Sequence, residues 1–262
     1  MGSAAIQGEL WGQASSDWAL LQEPKHIPLF EAMLDAGQVG GGAHVFDAGC
    51  GGGGASVIAV ERGAQVSGLD AAEPLIGIAR KRVPSGDFRV GDLQALPFED
   101  AVFDAVIAAN SVQYAGDRLT ALRELGRVCK PEGRVVVGLF GPAERVEYRA
   151  IFKAVRDALP EPPSGDGPFG LSAPGKLESL IEEAGLTILE QGEVDCPFFF
   201  QDFDVFWRAT ASAGPLRAAL RAVGEPKLRA ALQKATEAFR AEDGSVRIAP
   251  NHFKYIAARR WL

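Results

Sequence analysis

The 262-residue sequence has no long apolar run. Its apolar residues make up 47% of the chain and are dispersed in short stretches. None approaches the roughly 18 consecutive residues that suggest a membrane-spanning helix. The N-terminus also lacks a basic start followed by an apolar stretch and a cleavage site. We therefore expect neither a secretory signal nor a membrane partner.

Cysteine is scarce, with only Cys50, Cys129 and Cys196 in the chain. They lie far apart, without the paired spacing of a zinc site, and an odd, sparse set does not suit a disulfide framework. We expect a reducing compartment, the cytoplasm, and no metal. Cys50 lies within a glycine-rich turn and has no evident partner base, so we interpret it as a small turn residue and not a nucleophile.

Positive charge is also limited, with 27 basic against 34 acidic residues. The basic clusters are Arg80–Arg82 and Arg259–Arg260, each at the end of an expected element, where cations are favoured at a helix C-terminus or on a solvated face. Proteins that bind a polyanion usually carry a basic patch. The balance therefore argues against a nucleic-acid partner.

From residue 43 to 141 short β-type runs alternate with helical ones. The candidate strands are His44–Ala48, Gln65–Leu69, Asp87–Val90, Phe103–Ala108 and Arg134–Phe140. Several are continuous apolar runs, which are typical of strands buried on both faces of a parallel sheet. Alternation of β and α units at this spacing predicts a doubly wound α/β sheet with right-handed crossovers.

The pattern changes after Phe140. It predicts a helix over Arg145–Leu159, strands at Leu186–Glu193 and Phe198–Phe200, and a last strand at His252–Arg260. The segment at about 201–250 is rich in helix signals, and we interpret it as a helical cap inserted over the carboxyl edge of the sheet. Two interpretations of its aromatic residues stay open, an apolar acceptor pocket or the core of the cap itself. These residues are Phe198–Phe200, Phe203, Phe206 and Trp207.

A glycine-rich turn, Asp47-Ala-Gly-Cys-Gly-Gly-Gly-Gly54, follows the first strand. Glycine is needed where a ligand occupies the position of a side chain or where φ is positive. Gly49, Gly51 and Gly54 also satisfy G-x-G-x-x-G, and Asp70 lies about twenty residues further on, where a ribose-binding acid belongs. The turn alone therefore fits two kinds of nucleotide cofactor.

Polar residues at successive strand ends distinguish between these two kinds of cofactor. The carboxylate of Asp47 suits a ligand with ammonium and sulfonium groups and would repel a pyrophosphate. Asp92 follows the third strand, where it can accept an adenine amino hydrogen while Leu93 packs on the ring. The fourth strand delivers Asn110 to the edge where ligands bind in such sheets.

Together these residues resemble the class I S-adenosylmethionine-dependent methyltransferases, in the small-molecule branch that is similar to ubiquinone/menaquinone-type enzymes. The resemblance covers residues 43–141. It rests on D-x-G-x-G-x-G at Asp47–Gly53, on Gly68-Leu-Asp70, Gly91-Asp-Leu93 and Phe103-Asp104, and on the stretch from Leu122 to Gly133.

The resemblance implies a Rossmann-like, seven-stranded, mostly parallel sheet whose last strand lies antiparallel between the fifth and sixth. It divides the chain into an N-terminal helical lid (1–42), the cofactor-binding core (43–141) and the remaining core with the cap (142–262). The implied cofactor is S-adenosyl-L-methionine. The residues implied to bind it are Asp47, Gly49, Gly51, Asp70, Ala71, Asp92, Leu93 and Asn110, with Trp11 and Trp18 from the lid.

The implied function is transfer of a methyl group by in-line displacement to a small, partly hydrophobic acceptor, by a monomer or homodimer. Alternatives are an NAD(P)-dependent oxidoreductase using the overlapping G-x-G-x-x-G turn, or a non-catalytic S-adenosylmethionine-binding protein. A general base is needed only where the acceptor loses a proton. No catalytic residue is assigned; His26, His252 and Tyr114 are the side chains to watch.

Overall fold

The computed structural model describes residues 3–161 and 167–260. Residues 1–2 of the predicted lid, and residues 162–166 and 261–262 of the predicted part at 142–262, lie outside the described residues. The strands are β1 His44–Ala48, β2 Gln65–Asp70, β3 Asp87–Val90, β4 Phe103–Ala109, β5 Cys129–Phe140, β6 Leu186–Asp195, β7 Phe198–Phe200, β8 Val246–Ile248 and β9 His252–Arg260. The helices are α1 Ser3–Gly12, α2 Ser15–Asp17, α3 Ile27–Ala36, α4 Gly54–Glu61, α5 Glu73–Arg82, α6 Arg118–Val128, α7 Arg149–Ala158, α8 Lys176–Glu183, α9 Phe203–Ala211, α10 Gly214–Val223 and α11 Glu225–Ala235.

Seven of the described strands form one sheet in the order β3-β2-β1-β4-β5-β9-β6. All pairs are parallel except those made by β9, which runs antiparallel between β5 and β6. The predicted doubly wound sheet and the antiparallel position of its last strand are thereby confirmed. The strand order reverses between β1 and β4, which places a switch point at their carboxyl ends.

Two hydrophobic cores lie on opposite faces of the sheet. In β4, Ala105 and Ile107 belong to one core, whereas Val106 and Ala108 belong to the other. Side chains alternate across a strand, so a strand covered on both faces must be apolar at every position. This explains the continuous apolar runs of the sequence.

Helix α5 shows how local sequence sets the helices around the sheet. Pro74 stands in its first turn, where the missing N–H costs nothing, and Arg80–Arg82 occupy its last turn, where cations offset the exposed carbonyls. Leu75, Ile76 and Ala79 form the buried face that packs on the sheet.

Strand β5 begins at Cys129, five residues before the predicted start at Arg134, so Lys130–Gly133 lie inside it. Phe103 pairs with Cys129 and Ala105 with Arg134, so the intervening residues of β5 are accommodated as an irregularity. A side chain at Gly133 would come within 2.6 Å of the Asp104 carbonyl oxygen, which explains the glycine. Similarly, the helix predicted over Arg145–Leu159 begins at Arg149, after a 3₁₀ turn.

Helices α9 to α11 form the inserted segment, which begins and ends at a small second sheet. In that sheet β7 pairs antiparallel with β8, a three-residue strand that was not predicted. In the part of the chain that the structure describes, no helix has the length and apolar character needed to cross a bilayer.

Candidate functional site

Five parallel strands bring their carboxyl ends to one edge of the sheet. Beyond β1 lies the glycine turn, β2 ends at Asp70, β3 is followed by Asp92, and β4 by Asn110. Together with Phe140 at the end of β5, residues from all of these ends line one cavity. The cavity encloses about 1150 Å³ of space free of protein atoms, including its opening.

Backbone conformation explains the first glycines of the turn. Gly49 has φ +76° and Gly51 has φ +55°, in the left-handed region that side chains disfavour. A side chain at Gly49 would also meet the Cβ of Ser111 at 2.3 Å. Both glycines line the cavity, so their backbone forms part of its wall.

Asp70 connects the end of β2 to this turn. Its carboxylate accepts hydrogen bonds from the N–H groups of Gly51, at 2.9 Å, and Ala72, at 2.8 Å. Burial raises the pKa of the Asp70 carboxyl, and the backbone hydrogen bonds oppose that rise. Asp70 and the adjacent Ala71 both line the cavity, so the remaining lone pairs of the carboxylate are available to a ligand.

Asp47 lies beneath the turn and does not line the cavity. Its carboxylate accepts a hydrogen bond from the Ser56 hydroxyl at 2.6 Å. Burial, with a smaller contribution from the charges of Glu23 and Asp70, raises the pKa of Asp47 to about 7. Asp47 therefore joins β1 to α4 under the turn through this hydrogen bond, and its role at the ligand stays a prediction.

Asp92, Leu93 and Asn110 line the cavity as a group. The carboxylate of Asp92 accepts hydrogen bonds from the backbone and the side-chain amide of Gln94. Asn110 adopts a positive φ of 51°. The oxygen of its side-chain amide, Oδ1, is buried without a hydrogen-bond partner. A buried oxygen that faces a cavity without a partner is typical of a ligand-binding position.

The N-terminal segment forms another wall. Trp11 and Trp18 both line the cavity, with their rings in an edge-on arrangement at 4.7 Å. Trp11 also packs against Tyr114 at 5.5 Å and donates a hydrogen bond to Gln7. The two tryptophans therefore lie where the sequence predicted, across the cavity from the strand ends.

Two adjacent residues of this segment were missed by sequence reasoning. Glu23 is almost fully buried, and its carboxylate accepts a hydrogen bond from the Gly52 N–H at 2.8 Å and pairs with Arg82. Gln22 lines the cavity, and the oxygen of its side-chain amide, Oε1, is buried without a hydrogen-bond partner. A glutamate and a glutamine in an amphipathic segment look like solvent-facing residues, so only the tertiary contacts reveal them.

The far end of the cavity is apolar, but the aromatic residues named from the sequence do not form it. Phe140, Tyr148 and Phe152 line it together with Leu216 of α10. The aromatic residues named from the sequence do not line the cavity. Phe198, Phe200, Phe206 and Trp207 instead belong to a buried core that the cap shares with one face of the sheet, Phe203 packs against that core, and Phe199 is exposed.

The three side chains to watch separate in the structure. His26 lines the cavity, and burial lowers the pKa of its imidazole to about 4, so the ring is neutral near pH 7. Tyr114 also lines the cavity, and burial raises its pKa to about 12. His252 lies outside it, beside Arg145.

The matched family agrees with this geometry. Residues 46–137 match the model of the methyltransferase domain family, the stretch that holds the glycine turn, Asp70, Asp92 and Asn110. Residues 46–137 therefore form a methyltransferase domain. S-adenosylmethionine is thus its cofactor, and neither the oxidoreductase nor the non-catalytic alternative is favoured.

Curated relatives of the methyltransferase domain have named activities. A demethylmenaquinone methyltransferase of Thermus thermophilus is 34% identical over 145 residues, covering 48% of this chain and 65% of that protein. A malonyl-[acyl-carrier protein] O-methyltransferase of Erwinia pyrifoliae is 32% identical over 158 residues, 60% of each chain. Relatives from Mycobacterium are matched over 53% of their length. The chain thus spans about half to two thirds of the length of these relatives.

Solved structures share the fold. The [4+2]-cyclase SpnF aligns over 89% of this chain and 81% of its own, with a TM-score of 0.57 and 22% identity. This likeness concerns the fold alone, since one fold hosts several chemistries.

The described residues fit S-adenosylmethionine. Gly49 and Gly51 form part of the cavity wall, and Asp70 and Asp92 line the cavity beside the apolar Leu93. The unpartnered oxygens of Gln22 and Asn110 offer acceptors to a ligand rich in N–H and O–H donors. Both polar and apolar parts of the cofactor therefore find matching surfaces.

Proposed function

We propose that the protein transfers the methyl group of S-adenosylmethionine to a small, uncharged, partly hydrophobic acceptor. The observation that carries the proposal is a single cavity lined by two chemically different groups of residues. The glycine turn and the acidic strand ends form the group that we call the cofactor end; Phe140, Tyr148, Phe152 and Leu216 form the group that we call the apolar end.

The cofactor end divides into regions for the parts of the ligand. Asp70 binds the ribose hydroxyls with the lone pairs left over from its two backbone hydrogen bonds. Asp92 and Asn110 accept hydrogen bonds from the adenine, and Leu93 and Ala71 pack on its ring. Gly49 and Gly51 let the backbone lie against the methionyl part.

Charge selects the acceptor. Among the described residues that line the cavity, none is lysine or arginine, whereas Asp70 and Asp92 are both acidic. An anionic acceptor would therefore gain no counter-ion from these side chains, whereas an uncharged acceptor needs none. The apolar end therefore favours neutral molecules over carboxylates and phosphates.

The bound cofactor supplies an activated methyl group, and the protein's task is to hold the nucleophile in line with it. Correct alignment of reacting atoms contributes a large share of such rate enhancements. The aromatic walls exclude water, and neutral His26 offers a nitrogen lone pair at the cavity to an acceptor hydroxyl or amine. We assign it no further role in the chemistry.

The test is turnover with methyl-labelled S-adenosylmethionine over matched pairs of neutral and anionic acceptors of equal size, such as phenols and benzoates. We expect S-adenosylhomocysteine to form with neutral members and not with their anionic counterparts. Equal turnover of both members would contradict the assigned acceptor class. Cofactor binding without turnover of any acceptor would favour a binding protein.

A further inference from the structure

A buried ion pair fastens the N-terminal segment to the glycine turn. Glu23 is 3% exposed, and its carboxylate contacts both Arg82 and the N–H of Gly52. Arg82, at the end of α5, also donates to the carbonyl oxygens of Ala19, at 2.6 Å, and Gly52, at 3.0 Å. One guanidinium thus joins three pieces of chain: α5, the N-terminal segment and the turn.

The contacts of this pair account for the unusual length of the glycine run. A side chain at Gly52 would lie 3.0 Å from the Cβ of Ala19 and about as close to Glu23 and Arg82. A side chain at Gly54 would meet Phe30 at 2.8 Å and Glu23 at 3.1 Å. Neither glycine lines the cavity. Gly52 and Gly54 therefore make room for the N-terminal segment, and so does Gly51, where a side chain would lie 3.0 Å from the Glu23 carboxylate and 3.4 Å from the Trp18 ring nitrogen.

The fastened segment also supplies walls of the cavity. Trp18 and Gln22 precede Glu23 and His26 follows it, and all three line the cavity. They lie in consecutive π-helical and 3₁₀ turns, Trp18–Gln22 and Glu23–His26, whose side-chain directions depend on how the segment is held. Any displacement of Glu23 consequently moves the cavity wall as well as the turn.

We propose that Glu23 and Arg82 are positioning residues of the cofactor site, which set the shape of the glycine turn and hold the N-terminal segment against it. The inference rests on the proposed function for its ligand. The pair acts without touching the cofactor, through the N–H and carbonyl groups of Gly52 on one side and through Trp18 and Gln22 on the other.

The choice of charges has a chemical consequence. If Arg82 is removed, the buried carboxylate of Glu23 loses its counter-ion, which is the most costly way to break such a pair. If both charges are removed together, a neutral amide at position 23 can still accept the Gly52 hydrogen bond. The double variant should therefore recover part of the cofactor affinity that the Arg82 variant loses.

The experiment is calorimetric titration of S-adenosylhomocysteine into the wild-type chain and the variants Glu23→Gln, Arg82→Met and Glu23→Gln/Arg82→Met. Glu9→Gln is the matched control, because it breaks an ion pair of the same N-terminal segment, with Arg221, in which both side chains are exposed. We expect Arg82→Met to weaken binding about tenfold or more, Glu23→Gln to weaken it less, and the double variant to bind better than Arg82→Met alone. Glu9→Gln should bind as the wild type does.

Trypsin cleavage after Lys25 gives a second readout that needs no cofactor. A detached segment exposes this bond, so we expect faster cleavage in Arg82→Met than in wild type or Glu9→Gln, and S-adenosylhomocysteine should slow it. Arg82→Lys retains the charge and replaces Arg82→Met in the experiment if that variant does not fold. We expect the affinity of Arg82→Lys for S-adenosylhomocysteine to lie between those of the wild type and Arg82→Met.

Unchanged affinity and unchanged cleavage in the Glu23 and Arg82 variants would overturn the inference. So would a double variant that binds worse than Arg82→Met. Failure of the wild-type chain to bind S-adenosylhomocysteine overturns the proposed function instead, and the cleavage rates still decide whether the pair fastens the segment.

Discussion

The carboxylate of Asp70 accepts a hydrogen bond from the N–H of Gly51 across 2.9 Å. This contact joins the end of β2 to the turn that follows β1, and a second hydrogen bond from Ala72 fixes the orientation of the carboxylate. One side chain therefore shapes the glycine turn and presents acceptors to the cavity. The acid is required at this spacing because both elements end at the same edge of the sheet.

Replacing this acid tests the relationship. Asp70→Asn retains one acceptor oxygen and places an amide donor opposite one of the two backbone N–H groups. We expect the affinity for S-adenosylhomocysteine, measured by calorimetry, to fall about tenfold or more. Asp87→Asn is the control, because Asp87 is exposed at the start of β3 and pairs with Arg89. An equal loss in both variants would contradict the role of Asp70.

Alanine substitutions at two glycines of positive φ distinguish the effect of backbone strain from the effect on cofactor binding. Gly49→Ala and Gly42→Ala each force a side chain into the left-handed region, at a cost of roughly 1–2 kcal/mol in the free energy of unfolding. Gly42 has open space around it, whereas a methyl group at position 49 would collide with Ser111. We expect denaturant unfolding to show a loss in both and calorimetry to show lost cofactor binding only for Gly49→Ala. Normal binding by Gly49→Ala would contradict its place in the cavity wall.

Much of the fold and part of the site could be predicted from the sequence. The bounds of β1, β3, β7 and β9 were predicted to the residue. β1 is buried along most of its length, as expected of a strand covered on both faces, whereas β3 is an edge strand in which only Phe88 is buried. Asp70 and Asn110 could be placed at the cavity because parallel strands end at one edge of the sheet.

The residues that were missed depend on tertiary contacts. Glu23 meets Gly52 and Arg82 only after folding, and no local pattern marks it. Phe206 and its aromatic neighbours show helical spacing, which indicates burial but not the surface against which they pack. Phe206 packs against Phe200 and Phe203 within the cap.

The raised pKa of Asp47 predicts that the free energy of unfolding depends on pH. Its folded pKa of about 7 is raised above the ordinary value of 3.8. The stabilisation from its protonated form is therefore complete below about pH 4 and is lost as the pH rises through 7. We expect Asp47→Asn to remove part of the decline in unfolding free energy between about pH 4 and 7, by up to about 1.4 kcal/mol per pH unit. Parallel pH profiles of the two proteins in urea unfolding would contradict the raised pKa.

The apolar end of the cavity can be narrowed without touching the cofactor end. Leu216→Phe adds volume where α10 lines the cavity, whereas Leu220→Phe adds it one turn later on the same helix, outside the cavity. We expect Leu216→Phe to lower turnover of larger acceptors with little change in S-adenosylhomocysteine affinity. Leu220→Phe should change neither. A loss of cofactor affinity in Leu216→Phe alone would place the acceptor elsewhere.

Parallel calorimetric titrations with S-adenosylhomocysteine and with NADH test the cofactor assignment most directly. The glycine turn alone fits either ligand, but Asp70, Asp92 and Asn110 at successive strand ends favour the first. We predict saturable binding of one S-adenosylhomocysteine per chain and no heat of binding with NADH. Saturable binding of NADH with none of S-adenosylhomocysteine would contradict the assignment.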